Sequence, residues 1–195
     1  MRPEEAKREH YRKEAKRLGY RSRAAFKLLE INKSFHVFND DMYVVDLGCS
    51  PGGWLQVVMQ FINNGKIVGV DTRDIKPLPG VEFIKSSIED ENLPNSILDI
   101  LGKKADLILS DMAPNISGIW SLDHLRQLDL VYKALELADK VLRKNGKMVI
   151  KVFEGENINK LRADLNKRFK RVYLFKPKAS RKASSEVYFI CIGFL

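Results

Sequence analysis

The segment 44–54, with the sequence VVDLGCSPGGW, constrains the fold of this 195-residue chain most strongly. An apolar run ends at Asp46, a glycine-rich bend follows, and an amphipathic stretch begins at Trp54. This order is typical of a buried parallel strand that enters a helix through a ligand-binding turn. The spacing Gly-x-x-x-Gly-Gly differs from the Gly-x-Gly-x-x-Gly of dinucleotide-binding turns. A tight turn without a ligand is the alternative, so the interpretation depends on the rest of the chain.

Apolar runs and amphipathic segments alternate along the rest of the chain, and this alternation predicts an α/β fold with a doubly wound sheet. The predicted strands are 42–47, 66–70, 81–84, 105–110, 146–152, 170–176 and 186–194. The predicted helices are 4–17, 22–32, 53–62, 94–101, 123–143 and 157–168. Ser22 is the predicted N-cap of the second helix.

The helix predicted over 123–143 has a strong apolar period, which should face the protein interior. The sequence Asn145-Gly146 is predicted to end this helix. The apolar face consists of Leu125, Leu128, Val131, Tyr132, Leu135, Ala138 and Leu142.

The last two predicted strands, 170–176 and 186–194, have no helix between them. Their connection is too short for a parallel crossover, so we predict an antiparallel hairpin. Ligands in doubly wound sheets bind beyond the carboxyl ends of the strands, near the switch in strand order. The polar residues at that predicted edge are Asp46, Asp71, Ser86, Ser87, Asp111 and Lys151.

The net charge of +9 is concentrated in two segments. Residues 1–27 hold ten Lys and Arg against four Glu, and residues 160–182 hold ten Lys and Arg against one Asp. Two basic ends on a mildly acidic core predict a polyanion-binding surface, most simply for nucleic acid. Solvated helix faces are the alternative, which is weaker for 160–182 because almost no acids in that segment can pair with its cations.

Length and composition predict one domain over 1–195, with a basic helical extension at 1–33 and an α/β core at 40–195. No run approaches the roughly 18 apolar residues of a membrane span, and the N-terminus does not resemble a signal peptide. We therefore expect a cytoplasmic protein with no membrane contact. Cys49 and Cys191 form no C-x-x-C pair, and the three histidines lack ligand spacing, so no metal site is expected.

Charged residues in apolar surroundings are candidates for chemistry. Lys151 ends an otherwise apolar run, and burying a lysine is costly unless it is paired. The alternative is that its side chain extends to the sheet edge and stays solvated. Asp71 ends another strand, where an acid can accept both ribose hydroxyls of a nucleoside; a turn or N-cap role is a fair alternative. Glu186 opens a strand, and Lys27 lies at the polar edge of the second helix.

Five sequence blocks carry a family resemblance. They are 21–28 (RSRAAFKL), 46–54 (DLGCSPGGW), 110–115 (SDMAPN), 151–155 (KVFEG) and 180–188 (SRKASSEVY). In order and spacing these blocks resemble the FtsJ-type RNA ribose 2′-O-methyltransferases, from about residue 20 to the end. The resemblance implies a Rossmann-like methyltransferase fold, with a mostly parallel seven-stranded sheet, one antiparallel strand and helices on both faces.

The resemblance also implies a set of site residues. The catalytic tetrad of the family falls on Lys27, Asp111, Lys151 and Glu186. S-adenosylmethionine would be the methyl donor, without a metal. The implied donor contacts are Gly52 and Trp54 at the methionine, Asp71 at the ribose, Ser87 near the adenine and Asp111 near the reacting groups. Because Ser87 stands where the family often has an acid, it offers the adenine a hydroxyl without charge.

The implied reaction is attack of a ribose 2′-hydroxyl on the methyl group of the donor. Lys151 would either remove the hydroxyl proton as a general base or orient the hydroxyl, and the sequence leaves both roles open. The implied partner is RNA, most simply a uridine of large-subunit ribosomal RNA within the large ribosomal subunit. A tRNA anticodon-loop ribose is the alternative, and a non-catalytic RNA-binding module is a distant one. The glycine spacing disfavours a nicotinamide dehydrogenase. We expect a monomer.

Overall fold

The structure is a computed structural model that describes residues 3–180 and 184–195. The helices are α1 (Pro3–Arg17), α2 (Ala25–Phe35), α3 (Gly53–Val58), α4 (Leu93–Leu101), α5 (Trp120–Val141) and α6 (Ile158–Asn166). The strands are β1 (Tyr43–Leu47), β2 (Lys66–Asp71), β3 (Val81–Lys85), β4 (Ala105–Ser110), β5 (Leu142–Phe153), β6 (Phe169–Phe175) and β7 (Glu186–Phe194). Arg181 and Lys182 of the predicted basic segment lie outside the described residues.

The seven strands form one sheet in the order β3-β2-β1-β4-β5-β7-β6. β1 pairs in parallel with β2 and β4, and parallel pairing continues to β3 on one side and to β5 on the other. β7 lies between β5 and β6 and runs antiparallel to both. These pairings confirm the mostly parallel sheet with one reversed strand. The strand order reverses between β1 and β4, which opens a crevice at their carboxyl ends.

Apolar layers cover both faces of the sheet, as predicted. Alternate residues of a strand point to opposite faces, so Val44 and Val45 of β1 enter different layers. The Val44 layer includes α2 and α3, through Leu28 and Leu55. The Val45 layer includes α4, α5 and α6. All four of these side chains are fully buried, and each such burial contributes about 1.5–3 kcal/mol.

The second helix begins later than predicted. α2 starts at Ala25, its N-cap is Ala24, and no side chain makes a capping hydrogen bond. The expectation that Ser22 caps this helix is therefore wrong. The Ser22 carbonyl, rather than its hydroxyl, accepts the Ala25 N–H at 3.3 Å. The hydroxyl instead faces α3, where a Cβ atom added to Gly53 would lie 2.3 Å from Ser22 Oγ.

The long helix α5 confirms the predicted element, but its first turns differ from the predicted apolar face. Val131, Leu135 and Ala138 are buried, in agreement with the prediction. Leu125, which belongs to the same predicted face, is 60% exposed. The apolar period is therefore right in the body of the helix and wrong at its start.

Polar residues occupy the buried side of these first turns. Asp123, His124 and Gln127 are all buried there. Gln127 Nε2 donates to the backbone carbonyls of Met112 at 3.3 Å and Lys151 at 3.0 Å. Backbone carbonyl groups that α5 covers need hydrogen-bond donors. This need explains a buried amide on the side of the helix that the period predicted to be apolar.

The end of α5 also differs from the prediction. The helix ends at Val141, and Leu142 already belongs to β5. Asn145 has a φ of 62°, in the left-handed region, but it lies within β5. The pairing of β4 with β5 shifts register between Ala105 and Leu107, so Asn145 and Gly146 accommodate an irregular strand instead of ending a helix.

Candidate active site

A cavity of about 540 Å³ opens at the carboxyl ends of β1, β2 and β4, where the strand order reverses. This volume lies within the roughly 300–1,000 Å³ of typical ligand pockets. Its lining includes Gly48, Asp71, Ser87, Asp111 and Asn115. Three of the predicted donor-site residues therefore line one cavity.

The turn after β1 requires glycine at two positions. Gly48 has a φ of 73°, and a Cβ atom there would lie 2.7 Å from Met112 Cγ. Gly52 has a φ of 110°, and a Cβ atom there would lie 2.9 Å from Arg21 Nη1. Other residues rarely adopt positive φ, so a side chain at either position would strain the turn and displace its neighbour.

Arg21 holds this turn against a neighbouring loop. Its guanidinium donates to the carbonyl oxygens of Pro51 at 3.3 Å, Lys76 at 2.6 Å and Pro77 at 3.0 Å. We predicted no role for Arg21 from the sequence, because a guanidinium that binds only backbone carbonyls has no partner side chain to identify it. These contacts hold the turn after β1 against the loop at Lys76 and Pro77. They engage only backbone carbonyl groups, which any sequence would provide.

Asp71 is buried at the end of β2 and lines the cavity. One carboxylate oxygen accepts the Ser50 N–H, and the other accepts the Arg73 N–H, both at 2.9 Å. The turn role considered as an alternative is therefore present. A carboxylate has about four lone-pair sites, so two backbone bonds leave acceptor capacity for a ligand.

Asp46 lies beneath the cavity and is completely buried. Neither of its carboxylate oxygens has a hydrogen-bond partner among the described residues. Burial, followed by the nearby carboxylates of Asp111 and Asp71, raises the pKa of Asp46 well above its ordinary value. This side of the site therefore concentrates three carboxyl groups.

The four tetrad residues meet in one cluster, although they come from α2, the loop after β4, β5 and β7. Lys27 Nζ of α2 donates to Glu186 Oε2 of β7 at 2.9 Å. Lys151 Nζ of β5 donates to the Asp111 carbonyl oxygen at 2.7 Å. The same nitrogen lies 3.3 Å from Asp111 Oδ1 and 3.9 Å from Glu186 Oε1. Both lysines are buried and paired, so Lys151 does not extend into solvent.

Tyr188 is a member of this network that we did not assign from the sequence. Its hydroxyl donates to Asp111 Oδ1 at 2.8 Å. Lys27 Nζ lies 5.9 Å from the centre of its ring, and Trp54 packs against the ring at 5.8 Å. The signal available in the sequence was its spacing, because Tyr188 follows Glu186 by two residues and therefore shares its strand face.

Two pKa shifts reflect the organisation of the network. Burial alone would raise the pKa of Glu186, but the charges of Lys27 and Lys151 outweigh it and hold this pKa below its ordinary value. Burial, with the carboxylates of Asp111 and Glu186, raises the pKa of Tyr188 well above its ordinary value. The tyrosine therefore stays protonated and can donate to Asp111.

The remaining predicted donor contacts differ in their position relative to the cavity. Ser87 lines the cavity, and its hydroxyl oxygen accepts the Glu89 N–H at 3.2 Å. Trp54 is buried in the Val44 layer, and its indole N–H donates to the Ala24 carbonyl at 2.9 Å. Gly52 lies against Arg21. Donor contacts at Gly52, Trp54 and Ser87 stay predictions.

Acidic residues from other segments pair with part of the basic segment 160–182. Arg168 Nε lies 3.2 Å from Asp139 Oδ1 of α5, and Lys176 Nζ lies 3.9 Å from Glu154 Oε2. Within residues 3–180 and 184–195, four of its cations have neither a hydrogen bond nor an ion pair from the side chain: Lys160, Arg162, Arg171 and Lys178. The alternative of internal pairing thus applies to some of its cations, and nucleic-acid binding stays a prediction for the segment.

The described part of the chain lacks two other kinds of feature. No cluster of three or more His, Cys, Asp or Glu side chains there has the arrangement of a metal site. No helix in the same ranges combines the length and apolarity that crossing a membrane requires.

Curated relatives cover almost the whole chain. The protein of Nitrosopumilus maritimus called ribosomal RNA large subunit methyltransferase E is 43% identical over 98% of both chains. The protein of the same name from Cenarchaeum symbiosum is 43% identical over 100% of this chain and 99% of its own. A third, from Methanocella arvoryzae, is 45% identical over 97% of this chain and 73% of its own.

A solved structure has the same fold. It is the crystal structure of a protein assigned as a ribosomal RNA methyltransferase from Plasmodium falciparum. It superposes with a TM-score of 0.82 and 32% identity, over 90% of this chain and 99% of that one. The sequence model of the FtsJ-like methyltransferases matches residues 20–194, which include all four tetrad positions. The chain therefore belongs to the FtsJ-like methyltransferase family.

Proposed function

We propose that this protein transfers a methyl group from S-adenosylmethionine to a ribose 2′-hydroxyl of large-subunit ribosomal RNA. One observation carries the proposal: a buried Lys27–Glu186–Lys151–Asp111 network adjoins a ligand-sized cavity through Asp111. The names of the curated relatives support the ribosomal substrate over tRNA. An RNA-binding module without catalysis would not need two buried lysines paired with carboxylates.

The cavity fits the chemistry of this donor. S-adenosylmethionine carries an ammonium and a sulfonium cation, and supplies a methyl group on a good leaving group. Asp71 and Asp111 line the cavity, while Asp46 lies beneath with both oxygens unpartnered among the described residues. Opposite charges near a carboxylate favour its ionised form, so a cationic ligand would relieve the repulsion among these three groups.

We assign donor recognition to residues around this cavity. Asp71 would accept hydroxyls of the donor ribose with the lone pairs that Ser50 and Arg73 leave free. Ser87 would hydrogen-bond the adenine, and the Gly52 backbone would approach the methionine moiety. Trp54 would act indirectly, because its indole N–H is bonded inside the protein and its ring supports Tyr188.

The tetrad would position the acceptor ribose. Three oxygens surround Lys151 Nζ, from the Asp111 carbonyl, the Asp111 carboxylate and Glu186. An ammonium has three donors and no acceptor, so this set of oxygens supports the orienting role over the general-base role. Glu186 Oε1 lies beyond hydrogen-bond distance at 3.9 Å, so the two Asp111 oxygens leave one N–H of Lys151 to donate to the 2′-oxygen. Lys27 keeps Glu186 ionised and in place.

The new C–O bond forms as the S–CH3 bond breaks, which leaves the donor as S-adenosylhomocysteine and releases the hydroxyl proton to solvent. The residues of the site would contribute mainly by aligning the reacting atoms.

Tritiated methyl transfer would test the proposal. Large ribosomal subunits and total tRNA would be isolated from cells that lack this protein, and the labelled ribose mapped by its resistance to alkaline cleavage. Label on large-subunit RNA is the expected result. Label on tRNA alone would support the proposed reaction but overturn the ribosomal substrate. Donor binding without label on either RNA would overturn the proposed reaction. A monomeric state and a cytoplasmic location stay predictions.

A further inference from the structure

The first two turns of α5 reverse the usual distribution of polar and apolar side chains. Asp123, His124 and Gln127 are buried, whereas a neighbouring set of large apolar side chains is exposed. The exposed set consists of Ile116, Ile119, Trp120, Leu122 and Leu125, with exposed fractions from 37% to 66%. Sequences depart from the usual pattern mainly at functional sites, so this apolar surface calls for a ligand.

This surface adjoins the tetrad through Phe153. Phe153 follows Lys151 by two residues on β5, and so lies on the same face of that strand. In the antiparallel pairing of β5 with β7, Phe153 is directly opposite Glu186. Trp120 packs on Phe153 with ring centres 6.1 Å apart and an angle of 23° between the rings. The exposed indole is thus separated from the tetrad by one aromatic ring.

We infer that Trp120 and Phe153, with the exposed apolar residues of α5, form a stacking platform for a nucleobase of the acceptor RNA. Trp120 is 54% exposed, and its contact with Phe153 fixes the ring while leaving a surface open. Proteins bind unpaired bases on such aromatic surfaces, and stacking tolerates any base. The inference rests on the proposed function, because it places the base next to the ribose that the tetrad would bind.

A second ring supports Trp120 from the protein side. His124 is more than nine-tenths buried, and its ring centre lies 5.7 Å from that of Trp120. Both of its ring nitrogens lack a hydrogen-bond partner among the described residues. These nitrogens are themselves buried, so the imidazole contacts the indole from the protein side and leaves the open face of Trp120 to a ligand.

Fluorescence would detect the stacking directly. The chain has two tryptophans, and Trp54 is buried, so Trp120→Phe leaves one shielded indole as the baseline. The probes would be a short oligouridylate and an abasic ribose-phosphate oligomer of the same length. We expect the oligouridylate to quench the wild-type protein and the abasic oligomer to have no such effect. Equal quenching by both probes would overturn the inference.

Kinetics would establish whether the platform serves methyl transfer. Trp120→Ala should raise the KM for large ribosomal subunits by roughly five- to 150-fold, while kcat and donor affinity change little. The KM of Trp120→Phe should stay close to that of the wild type, because an aromatic face remains. The KM of Trp120→Leu should rise, because leucine keeps apolar area without an aromatic face. Leu195→Ala is a matched control, since Leu195 is 58% exposed and follows the end of β7 that is remote from Glu186. A wild-type KM in either Trp120→Ala or Trp120→Leu would overturn the inference.

The two proposals can fail separately. If the wild-type protein methylates large subunits and Trp120→Ala does so with the same KM, the platform is wrong and the proposed function stands. If the wild-type protein methylates no RNA but the oligouridylate still quenches Trp120, the proposed function is wrong and base stacking stands. Thermal unfolding of each variant would show that the fold is intact.

Discussion

The cavity beside β1 and β2 and the tetrad beside β5 and β7 share Asp111 but differ in how their carboxylates are paired. In the tetrad, each carboxylate has a lysine nearby. Lys27 and Lys151 lie close to Glu186, and Lys151 also lies close to Asp111. In the cavity, the only ion pair of Asp71 within the described residues is a 3.5 Å contact with the exposed Arg73, and Asp46 has none. One half of the site is close to neutral, and the other is anionic.

The opposite pKa shifts of two buried acids show what this difference means. Burial raises the pKa of Asp46, and neighbouring carboxylates add to the effect. Burial also acts on Glu186, but two lysines reverse its effect and lower the pKa. The anionic half suits a cationic ligand such as a sulfonium, whereas the neutralised half suits an uncharged hydroxyl. The charge pattern therefore supports the proposed division of the site between donor and acceptor.

Replacing Lys151 tests the acceptor half and should have the largest effect. Lys151→Ala removes the cation between Asp111 and Glu186 that would orient the 2′-hydroxyl, and should lower the single-turnover rate of methyl transfer by about 10²–10³-fold. Affinity for S-adenosylmethionine, measured by calorimetry, should stay near that of the wild type, because Lys151 is outside the cavity lining. Lys147→Ala, on the same strand, is the control and should retain the rate. A large loss of donor affinity in Lys151→Ala would contradict the division of the site.

Replacing Asp71 tests the donor half. Asp71→Asn should weaken S-adenosylmethionine binding by roughly 10- to 150-fold, because hydrogen bonds to a charged group contribute about 1.5–3 kcal/mol. The rate at saturating donor should change much less. The control is Asp74→Asn, since Asp74 is exposed and pairs with Lys85 outside the cavity. If Asp71→Asn lowers kcat and leaves the donor dissociation constant unchanged, the assignment of Asp71 is wrong.

The smallest expected effect concerns stability at acid pH. Because the folded-state pKa of Glu186 is below its ordinary value of 4.5, its contribution to stability is present above that pH and is lost as pH falls through the folded pKa. Lys27→Met removes one of the two cations, so the folded-state pKa of Glu186 should rise toward or above 4.5, and this group should lose less stability than in the wild type as pH falls. Thermal midpoints between pH 3 and pH 7 would measure this shift (roughly the range over which carboxyl groups titrate).

Lys13→Met is the matched control for this measurement. Lys13 pairs with Glu9 at 3.9 Å on the surface of α1, where ion pairs contribute little. Its acid profile should coincide with that of the wild type. An equal shift in both variants would mean that net charge, instead of the buried pair, determines acid stability.

Much of the fold was predictable because it depends on local patterns that tertiary packing reinforces. The strands of the sheet are apolar runs, and the reversed β7 follows from its short connection to β6. The tetrad was predictable from the family blocks, since each of its residues falls on a matching motif. The meeting of Lys27 with Glu186 could not have been derived from spacing, because 159 residues separate them.

The errors have a common physical origin. Ser22 and Leu125 were assigned by helix rules that assume a helix facing an apolar core. In the structure, both lie where a helix begins beside the site, and polar contacts with neighbouring backbone determine which side is buried. The orphan carboxyl of Asp46 and the buried amide of Gln127 are likewise properties of packing that no local period contains.

The position of β7 inside the sheet links activity to the integrity of the chain. A fragment that ends before residue 186 lacks Glu186 and Tyr188, and its β5 loses one of its two pairing strands. It also leaves Lys27 without its ion-pair partner Glu186, and breaking a buried ion pair typically costs about 3–5 kcal/mol. Truncated copies should therefore be both unstable and catalytically inactive, and they would be degraded without having modified RNA.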